Sequence, residues 1–340
     1  MIYDCLIVGG GAAGLSVALG LGRVNRSCVV FSHQNHRNKD AKHIHAVLSR
    51  DHIDPNSFYH LSRQQIARYQ NTNFVEAEIV DVARTAEVLS NFVARDAEGR
   101  SWQGRSIVLA TGVHDLLPDL EGYVENWPAN IYQCLFCDGY ERRELPKGVL
   151  CYPSFNPMMA KMATMLHCMS PPRVERDQPA TERSSQPKVT VFTNGPPNVH
   201  CDPKIQKALD TCAAHRMLID TRPVVKLVAD TEKEGVYVHV RNEDGSQSAV
   251  HMAFLFHKPS TAPAAPRLLS QLGVELSPTA TVALARPPFQ STNIPGVFVA
   301  GDTCTEMTHA TNAMYTGMMC AAGVTHYCND LDDQTALASS

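Results

Sequence analysis

Cys134 and Cys137 stand three positions apart in the stretch Cys134-Leu135-Phe136-Cys137-Asp138-Gly139-Tyr140. At that spacing two thiols close a small disulfide ring with little backbone movement, and an acid follows the second sulfur directly. The pattern reads as a dithiol–disulfide redox pair. A metal reading would need a second pair, or histidines at matched spacing. The other nine cysteines (Cys5, Cys28, Cys151, Cys168, Cys201, Cys212, Cys304, Cys320 and Cys328) contain no second such pair, so no metal site is assigned. The plainer alternative is two unreactive thiols.

A redox pair needs an electron partner, and the start of the chain offers one. Residues 2–8 (IYDCLIV) are an apolar run of strand length, followed at once by Gly9-Gly10-Gly11-Ala12-Ala13-Gly14. Residues 15–21 read as a helix whose end Gly20 and Gly22 weaken, and residues 27–31 read as a second strand. Strand, GxGxxG, helix, strand is the context of a dinucleotide site: glycines admit a pyrophosphate, and the helix N-terminus supplies N–H donors and partial positive charge. With such a start, the cysteine pair reads as feeding a flavin. One position departs from the rule. An Asp or Glu usually ends the second strand and binds the ribose hydroxyls. Here Ser32 stands there, a single uncharged hydroxyl, with Arg37 and Asn38 as compensating candidates.

Residues 36–51 are polar and rich in histidine. His43 and His45 would share one face of a strand and could ligate a metal, although the simpler reading is a loop packing over the cofactor. Residues 55–70 look helical; residues 74–83 and 88–94 read as strands. Residues 106–109 form a strand ending in Ala110-Thr111-Gly112, small residues that let the chain pass close to a cofactor.

Residues 148–152 then look like the first strand of a second nucleotide domain. The glycine turn that should follow is replaced by Pro153-Ser154-Phe155-Asn156-Pro157, which blocks the approach of a pyrophosphate. Residues 158–167 still read as a helix, residues 170–187 as a proline-rich surface loop, and residues 188–193 as a strand. After that strand, Asn194-Gly195-Pro196-Pro197 offers no cationic clamp for a 2′-phosphate. The domain keeps its shape while its nicotinamide ligand is expected to be lost. Residues 230–240 and 247–257 read as strands, and residues 261–266 as a connection. Residues 295–300 lead into Gly301-Asp302, and residues 310–322, starting Ala310-Thr311, form an apolar helix whose N-terminus can stabilise negative charge. Met314, Met318 and Met319 on it read as core or dimer packing.

The bulk numbers agree with this picture. The chain has 340 residues, 44% of them hydrophobic and 19% charged, a length natural for two domains. A net charge of -4 argues against nucleic acid as the main partner. No apolar run approaches a membrane span, and no secretory leader precedes the first strand. Eleven cysteines in no paired framework suit a reducing compartment, so a cytoplasmic protein is expected.

Together the residue 9–14 loop, Ala110-Thr111-Gly112, the Cys134–Asp138 site and Gly301-Asp302 resemble the low-molecular-weight thioredoxin reductases over nearly the whole chain. The missing nicotinamide motifs, the bulky Leu135 and Phe136, and Arg37-Asn38 make the chain similar to the fungal dithiol oxidases of epipolythiodioxopiperazine biosynthesis, the gliotoxin-oxidase-like group. The resemblance implies an α/β protein with two Rossmann-like domains, a discontinuous FAD domain over residues 1–115 and 251–340, and a CxxC-bearing domain over residues 116–250. It implies FAD held by Gly9, Gly11, Ala12, Ala13, Gly14, Ser32, Arg37, Asn38, Ala110, Thr111, Gly112, Gly301, Asp302, Ala310 and Thr311. It further implies a homodimer, a small-molecule dithiol substrate and molecular oxygen as acceptor, with hydrogen peroxide as product. Cys134 would face the substrate, Cys137 the flavin, and Asp138 would shuttle protons or, more plainly, cap a helix. His43 or His45 would serve as a base for substrate thiols. Two rival functions stay open: an NADPH-dependent disulfide reductase, and a flavoprotein that sequesters dithiols.

Overall fold

The computed structural model describes residues 1–85, 91–170 and 188–339. The chain forms two compact units, Met1–Asp115 with Thr261–Ser340, and Leu116–Ser260.

The first unit is built on a seven-stranded sheet. Ile2–Val8 lies between Cys28–Phe31 and Ser101–Leu109, parallel to both, and Thr72–Val75 extends the parallel edge beyond Cys28–Phe31. Strands in the middle of a parallel sheet are covered on both faces, so they read as unbroken apolar runs; Cys28–Phe31 is buried at all four positions. The nine-residue strand Ser101–Leu109 has a divided outer edge. Its first half pairs antiparallel with Phe92–Asp96, and its second half pairs in parallel with the returning strand Val297–Val299. Thus the C-terminal segment completes a sheet that the N-terminal segment starts. Ile79–Arg84 closes the antiparallel edge.

Several expected elements differ in extent. The first helix runs Ala12–Arg23, past both glycines that were expected to weaken it. They are packing residues: a Cβ at Gly20 would sit 2.5 Å from the Ala321 Cβ, and one at Gly22 would sit 3.1 Å from the Tyr69 ring. The expected strand over residues 74–83 is two, Thr72–Val75 and Ile79–Arg84, which pair with different neighbours. The expected strand over residues 88–94 is Phe92–Asp96, and residues 88–90 lie outside the described residues. The C-terminal helix runs Ala310–Ser339 rather than stopping at 322. Its polar second half is held by ions. Asp332 receives Arg26 at 2.7 Å and Arg105 at 2.6 Å, and Asp4 receives Arg105 at 2.9 Å.

The second unit holds a five-stranded parallel sheet in the order Leu218–Asp220, Val189–Phe192, Lys147–Leu150, Phe254–Phe256, Ile131–Tyr132. Helices Pro157–Met169 and Pro203–Ala214 pack on it. A three-stranded antiparallel sheet, Val224–Ala229, Val236–Arg241 and Gln247–Met252, accompanies it. Here too the expected strands are broken up. Residues 230–235 turn the chain before Val236, and residues 247–257 divide into Gln247–Met252 and Phe254–Phe256, which serve different sheets. Residues 251–260, grouped by sequence with the first domain, belong to this unit because Phe254–Phe256 is an inner strand of its parallel sheet. Of the expected loop over residues 170–187, all but Ser170 lies outside the described residues. Among the described residues, no helix is long and apolar enough to cross a membrane.

The two long helices of the first unit approach closely because small residues face each other. A Cβ on Gly317 would sit 2.3 Å from the Ala13 carbonyl oxygen and 2.9 Å from the Ser16 Cβ. Alanine is the better helix former by about 1 kcal/mol, yet here it must push the helices apart. Gly317→Ala is therefore expected to destabilise the protein by about 1–3 kcal/mol, the usual overpacking range. Thermal or urea unfolding checks this; an unchanged or raised midpoint would mean the crossing has slack.

A glycine cradle and a disulfide loop

In the first unit, the chain leaves Ile2–Val8 and turns within residues 9–14 into the helix Ala12–Arg23. Two glycines there are dictated by backbone contact. Gly9 has φ +112°, and a Cβ on it would lie 2.2 Å from the Ala110 carbonyl oxygen; a Cβ on Gly14 would lie 1.9 Å from the Gly9 carbonyl oxygen. Gly11 is different: a Cβ there would meet nothing within 4 Å among the described residues. It is also the N-cap of the helix and has no side-chain capping bond. A helix N-terminus with open space in front of it and no cap of its own is a ready anion site.

Around this turn the structure gathers Ala110, Thr111, Gly112, Gly301 and Asp302. Gly112 and Gly301 have φ +75° and +69°. Their N–H groups are fixed by threonines: Gly112 donates to Thr303 Oγ1 at 2.7 Å and Gly301 to Thr316 Oγ1 at 2.9 Å. Among the described residues, Thr111 Oγ1 is buried with no hydrogen-bond partner, a polar atom awaiting one. The open space at Gly11 and this hydroxyl fit a polar, phosphate-bearing cofactor. Ala310 packs with Ala12 against a small core of Ile44, Val47 and Phe58, so the C-terminal helix begins beside the glycine turn. Thr311 Oγ1 is 2.6 Å from His309 Nδ1.

The residues after the second strand divide their tasks. Ser32 is buried beside Gly10; a Cβ on Gly10 would sit 2.6 Å from its Oγ. Asn38 Oδ1 accepts from Tyr59 OH at 2.8 Å, and the Tyr59 ring stacks on His36 at 3.8 Å. Burial first, then the nearby Arg63 charge, pulls the His36 imidazole down to about 4, so that ring is neutral at ordinary pH. Arg37 is engaged with carboxylates. It donates through two nitrogens to Asp115 and through Nη1 to Asp302 Oδ2 at 3.0 Å. One guanidinium thus serves two carboxylates. Burial, aided by Asp115, raises the Asp302 carboxyl above its ordinary value even though Arg37 pulls it down. Arg37 itself, pulled down by burial, is pushed up overall by both acids. Both shifts are upward: burial dominates at Asp302, and the two carboxylates outweigh burial at Arg37.

Arg63, Tyr59, Thr303 and Thr316 were not singled out from the sequence. Arg63 stands near Gly10 and lies over the Phe74 ring at 5.2 Å. Its helix, Pro55–Ile66, is more than twenty residues downstream of the second strand, so no local motif marks it.

In the second unit, Cys134 and Cys137 are joined as a disulfide, with Cα atoms 5.2 Å apart. The loop is a tight turn. The backbone N–H groups of Cys137 and Asp138 both donate to the Cys134 carbonyl oxygen, at 3.1 and 3.0 Å. Leu135 is buried in the core of this unit, whereas Phe136 is 71% exposed. One bulky residue between the sulfurs is therefore an anchor and the other a surface group. Gly139, at φ +105°, passes the Phe254 ring, where a Cβ would be 3.1 Å away. Gly139, rather than Asp138, is the N-cap residue of the short 3-10 turn Tyr140–Arg142. Arg142 Nη1 donates to the Ala253 carbonyl oxygen at 2.8 Å, and buried Lys147 donates to the carbonyl oxygens of Arg143 and Leu145. These bonds fasten the loop's exit.

The second helix terminus contrasts with the first. Pro157–Met169 is capped by Asn156, whose Oδ1 accepts from the N–H groups of Met158 at 3.0 Å and Met159 at 3.3 Å. Phe155 is buried beneath it. Asn194 also bonds inward, donating to the Pro153 carbonyl oxygen and accepting from the Val224 N–H, each at 2.8 Å.

Other thiols are suppressed. Burial raises Cys28 and Cys328 to about 11 and Cys304 to about 12, and drives Cys5, Cys151 and Cys320 higher still. Thiolate chemistry at neutral pH is closed to them.

Comparison with known proteins agrees with this geometry. Residues 3–152 match the family model described as pyridine nucleotide-disulphide oxidoreductase. The chain is 34% identical over 337 residues to "Thioredoxin reductase sirT" of Leptosphaeria maculans, covering 97% of this chain and 96% of that protein. It is 35% identical over 332 residues to "Thioredoxin reductase aclD" of Aspergillus oryzae, covering 95% of each. The solved structure of an oxidoreductase from Agrobacterium tumefaciens superposes with a TM-score of 0.78 at 26% identity, covering 96% of this chain and 98% of that one. An uncapped glycine cradle, a disulfide loop, two sheets of nucleotide-binding type and full-length relatives lead to one assignment: this chain belongs to the thioredoxin reductase-like pyridine nucleotide-disulphide oxidoreductases, redox flavoenzymes that hold FAD.

Proposed function

We propose that the protein is an FAD-dependent oxidase that closes a disulfide in a small-molecule dithiol, with oxygen as acceptor and hydrogen peroxide as product. Its setting would be fungal epidithiodioxopiperazine-type biosynthesis. The observation that carries this reading is Asn156. In a nicotinamide-binding domain the helix N-terminus after the first strand faces a pyrophosphate. Here its free N–H groups are taken by the chain's own side chain. With Pro153 and Pro157 on either side, electrons are expected to enter from a dithiol and not from NADPH.

The protein's part is disulfide exchange. A substrate thiolate attacks Cys134 Sγ, the Cys134–Cys137 bond breaks, and Cys137 leaves as thiolate. The second substrate thiol, deprotonated, attacks the substrate sulfur of the mixed disulfide and releases Cys134. The substrate has lost two electrons and two protons, and the pair Cys134/Cys137 holds the electrons. When bound, FAD accepts that electron pair from the dithiol and passes it to oxygen, which with two protons becomes hydrogen peroxide. Asp138, next to Cys137, is the group proposed to carry protons to and from the sulfurs. Exposed Phe136 offers an apolar surface for the substrate beside the disulfide. The residue 9–14 turn would hold the FAD pyrophosphate, Ser32 and Asn38 the adenosine ribose, Thr111 and Asp302 the ribityl chain, and the start of the helix at Ala310 and Thr311 the pyrimidine end. Arg37 would act through Asp302 and Asp115, positioning them.

The names of the relatives favour a second reading, an NADPH-dependent disulfide reductase. One anaerobic experiment separates the two. A small dithiol should bleach the flavin quickly, and NADPH should do so slowly or not at all. Cys134→Ser and Cys137→Ser should each cut dithiol-driven turnover by about a thousandfold or more, since members of a catalytic unit fail singly. Flavin bleached by NADPH as fast as by the best dithiol would establish the reductase instead. If both serine variants still turn over, the pair is not the relay.

The Asp302 assignment has its own check. Hydrogen bonds to charged groups contribute about 1.5–3 kcal/mol, so Asp302→Ala should weaken FAD binding by roughly 10- to 150-fold. The flavin-to-protein ratio after dialysis, and titration of apoprotein with FAD, measure this. Unchanged affinity would remove Asp302 from the cofactor site.

A further inference from the structure

Residues 36–53 carry a cluster that neither the flavin nor the disulfide chemistry uses. Ile44 and Ile53 form an antiparallel bridge, with the Ile44 N–H donating to the Ile53 carbonyl oxygen at 2.7 Å. Ile44 points into a small core with Val47 and Phe58, so the loop is anchored. Side chains alternate along an extended chain. His43 and His45, flanking Ile44, therefore share the opposite face. In an antiparallel pair, position 45 lies across from position 52, and that residue is His52. The three rings do converge. His45 Nε2 lies 3.0 Å from His52 Nδ1, and one ring nitrogen from each of His43, His45 and His52 falls within 4.8 Å of the others.

Two more features suit a metal. Asp51 Oδ2 is 3.5 Å from His52 Nε2, the nitrogen on the far side of the ring from His45. Asp51 Oδ1 accepts the Ala46 N–H at 2.8 Å, which fixes that carboxylate. A carboxylate behind an imidazole sets its tautomer and turns the other nitrogen toward a metal. The loop also holds three non-glycine residues in the left-handed region, Ala46, Ser49 and His52, with φ of 59°, 66° and 61°. Such conformations concentrate where the surrounding structure fixes a functional geometry.

We propose that His43, His45 and His52 form a Zn²⁺ site, with Asp51 orienting His52 from behind. Zinc–imidazole bonds of about 2.0–2.1 Å in tetrahedral geometry separate the ligand nitrogens by about 3.3 Å. His45 and His52 already stand near that separation, and His43, exposed, closes the remainder by a side-chain rotation. Three neutral imidazoles select zinc and its first-row neighbours over calcium or magnesium. They leave a fourth position for water or an anionic donor. The site needs nothing from the dithiol chemistry.

The test uses tag-free, FAD-loaded protein with Cys134–Cys137 oxidised, so that this pair offers no thiolate to the metal. Calorimetric titration with Zn²⁺ should give one site per chain. Visible absorption of added Co²⁺ should report tetrahedral nitrogen ligation. The double variant His45→Ala/His52→Ala should bind at least about a hundredfold more weakly, and Asp51→Asn roughly 10- to 100-fold more weakly. An unchanged flavin spectrum and unchanged melting temperature without metal will show that each variant is folded. The Cys134→Ser/Cys137→Ser variant should bind Zn²⁺ as the parent does. The proposal fails if parent and histidine variant bind alike, or if binding is lost with the cysteines instead.

Discussion

The closest constraint in the first unit is steric. No side chain fits at Gly9, because the Ala110 carbonyl oxygen occupies the place of its Cβ, nor at Gly14, where the Gly9 carbonyl oxygen does so. The turn must therefore lie flat against the end of Ser101–Leu109, and the helix must leave it at one angle. Much follows from that contact. The helix direction sets where the C-terminal helix crosses, at Gly20 and Gly317. The crossing sets where Ala310 begins and keeps Thr316 beneath Gly301. Asp302 then comes within reach of Arg37. Residues nearly three hundred positions apart are brought to one place by two absent methyl groups.

The two units end their first strands in opposite ways. One follows with a helix terminus that lacks a side-chain cap and has space before it; the other fills the same position with Asn156, Pro157 and buried Phe155. Both are sound ways to end a helix, since orphan N–H groups need a partner from somewhere. A terminus satisfied from within has fewer N–H groups to offer an external anion than one without a side-chain cap.

What could be read from the sequence was what is local. The glycine turn, the disulfide pair, Gly301-Asp302 and the broken nucleotide turn at residues 153–157 are contiguous stretches whose meaning lies in residue order. The long-range pairings were not legible. Arg37 looked like an adenosine ligand because of its place after the second strand, yet its guanidinium goes to Asp115 and Asp302, 78 and 265 residues away. Thr303 and Thr316 hold glycine turns through single hydroxyls, with no spacing rule to mark them. The second half of the C-terminal helix is polar and looked like its end; only the arginines that meet Asp332 explain why it continues. His43 and His45 were visible as a pair, but His52 joins them only through the Ile44–Ile53 bridge.

Six of the nine free cysteines are buried. If the chemistry is the sulfur exchange proposed above, the protein carries in its own interior thiols that could attack the Cys134–Cys137 disulfide. Burial raises the pKa of each of these six thiols and so holds back their ionisation. The barrier is only as durable as the packing. A chain that opens locally, even briefly, exposes competing nucleophiles to Cys134 and Cys137, and pairings made then would outlast the opening. On that reading, structural integrity and chemical fidelity are one property of this molecule.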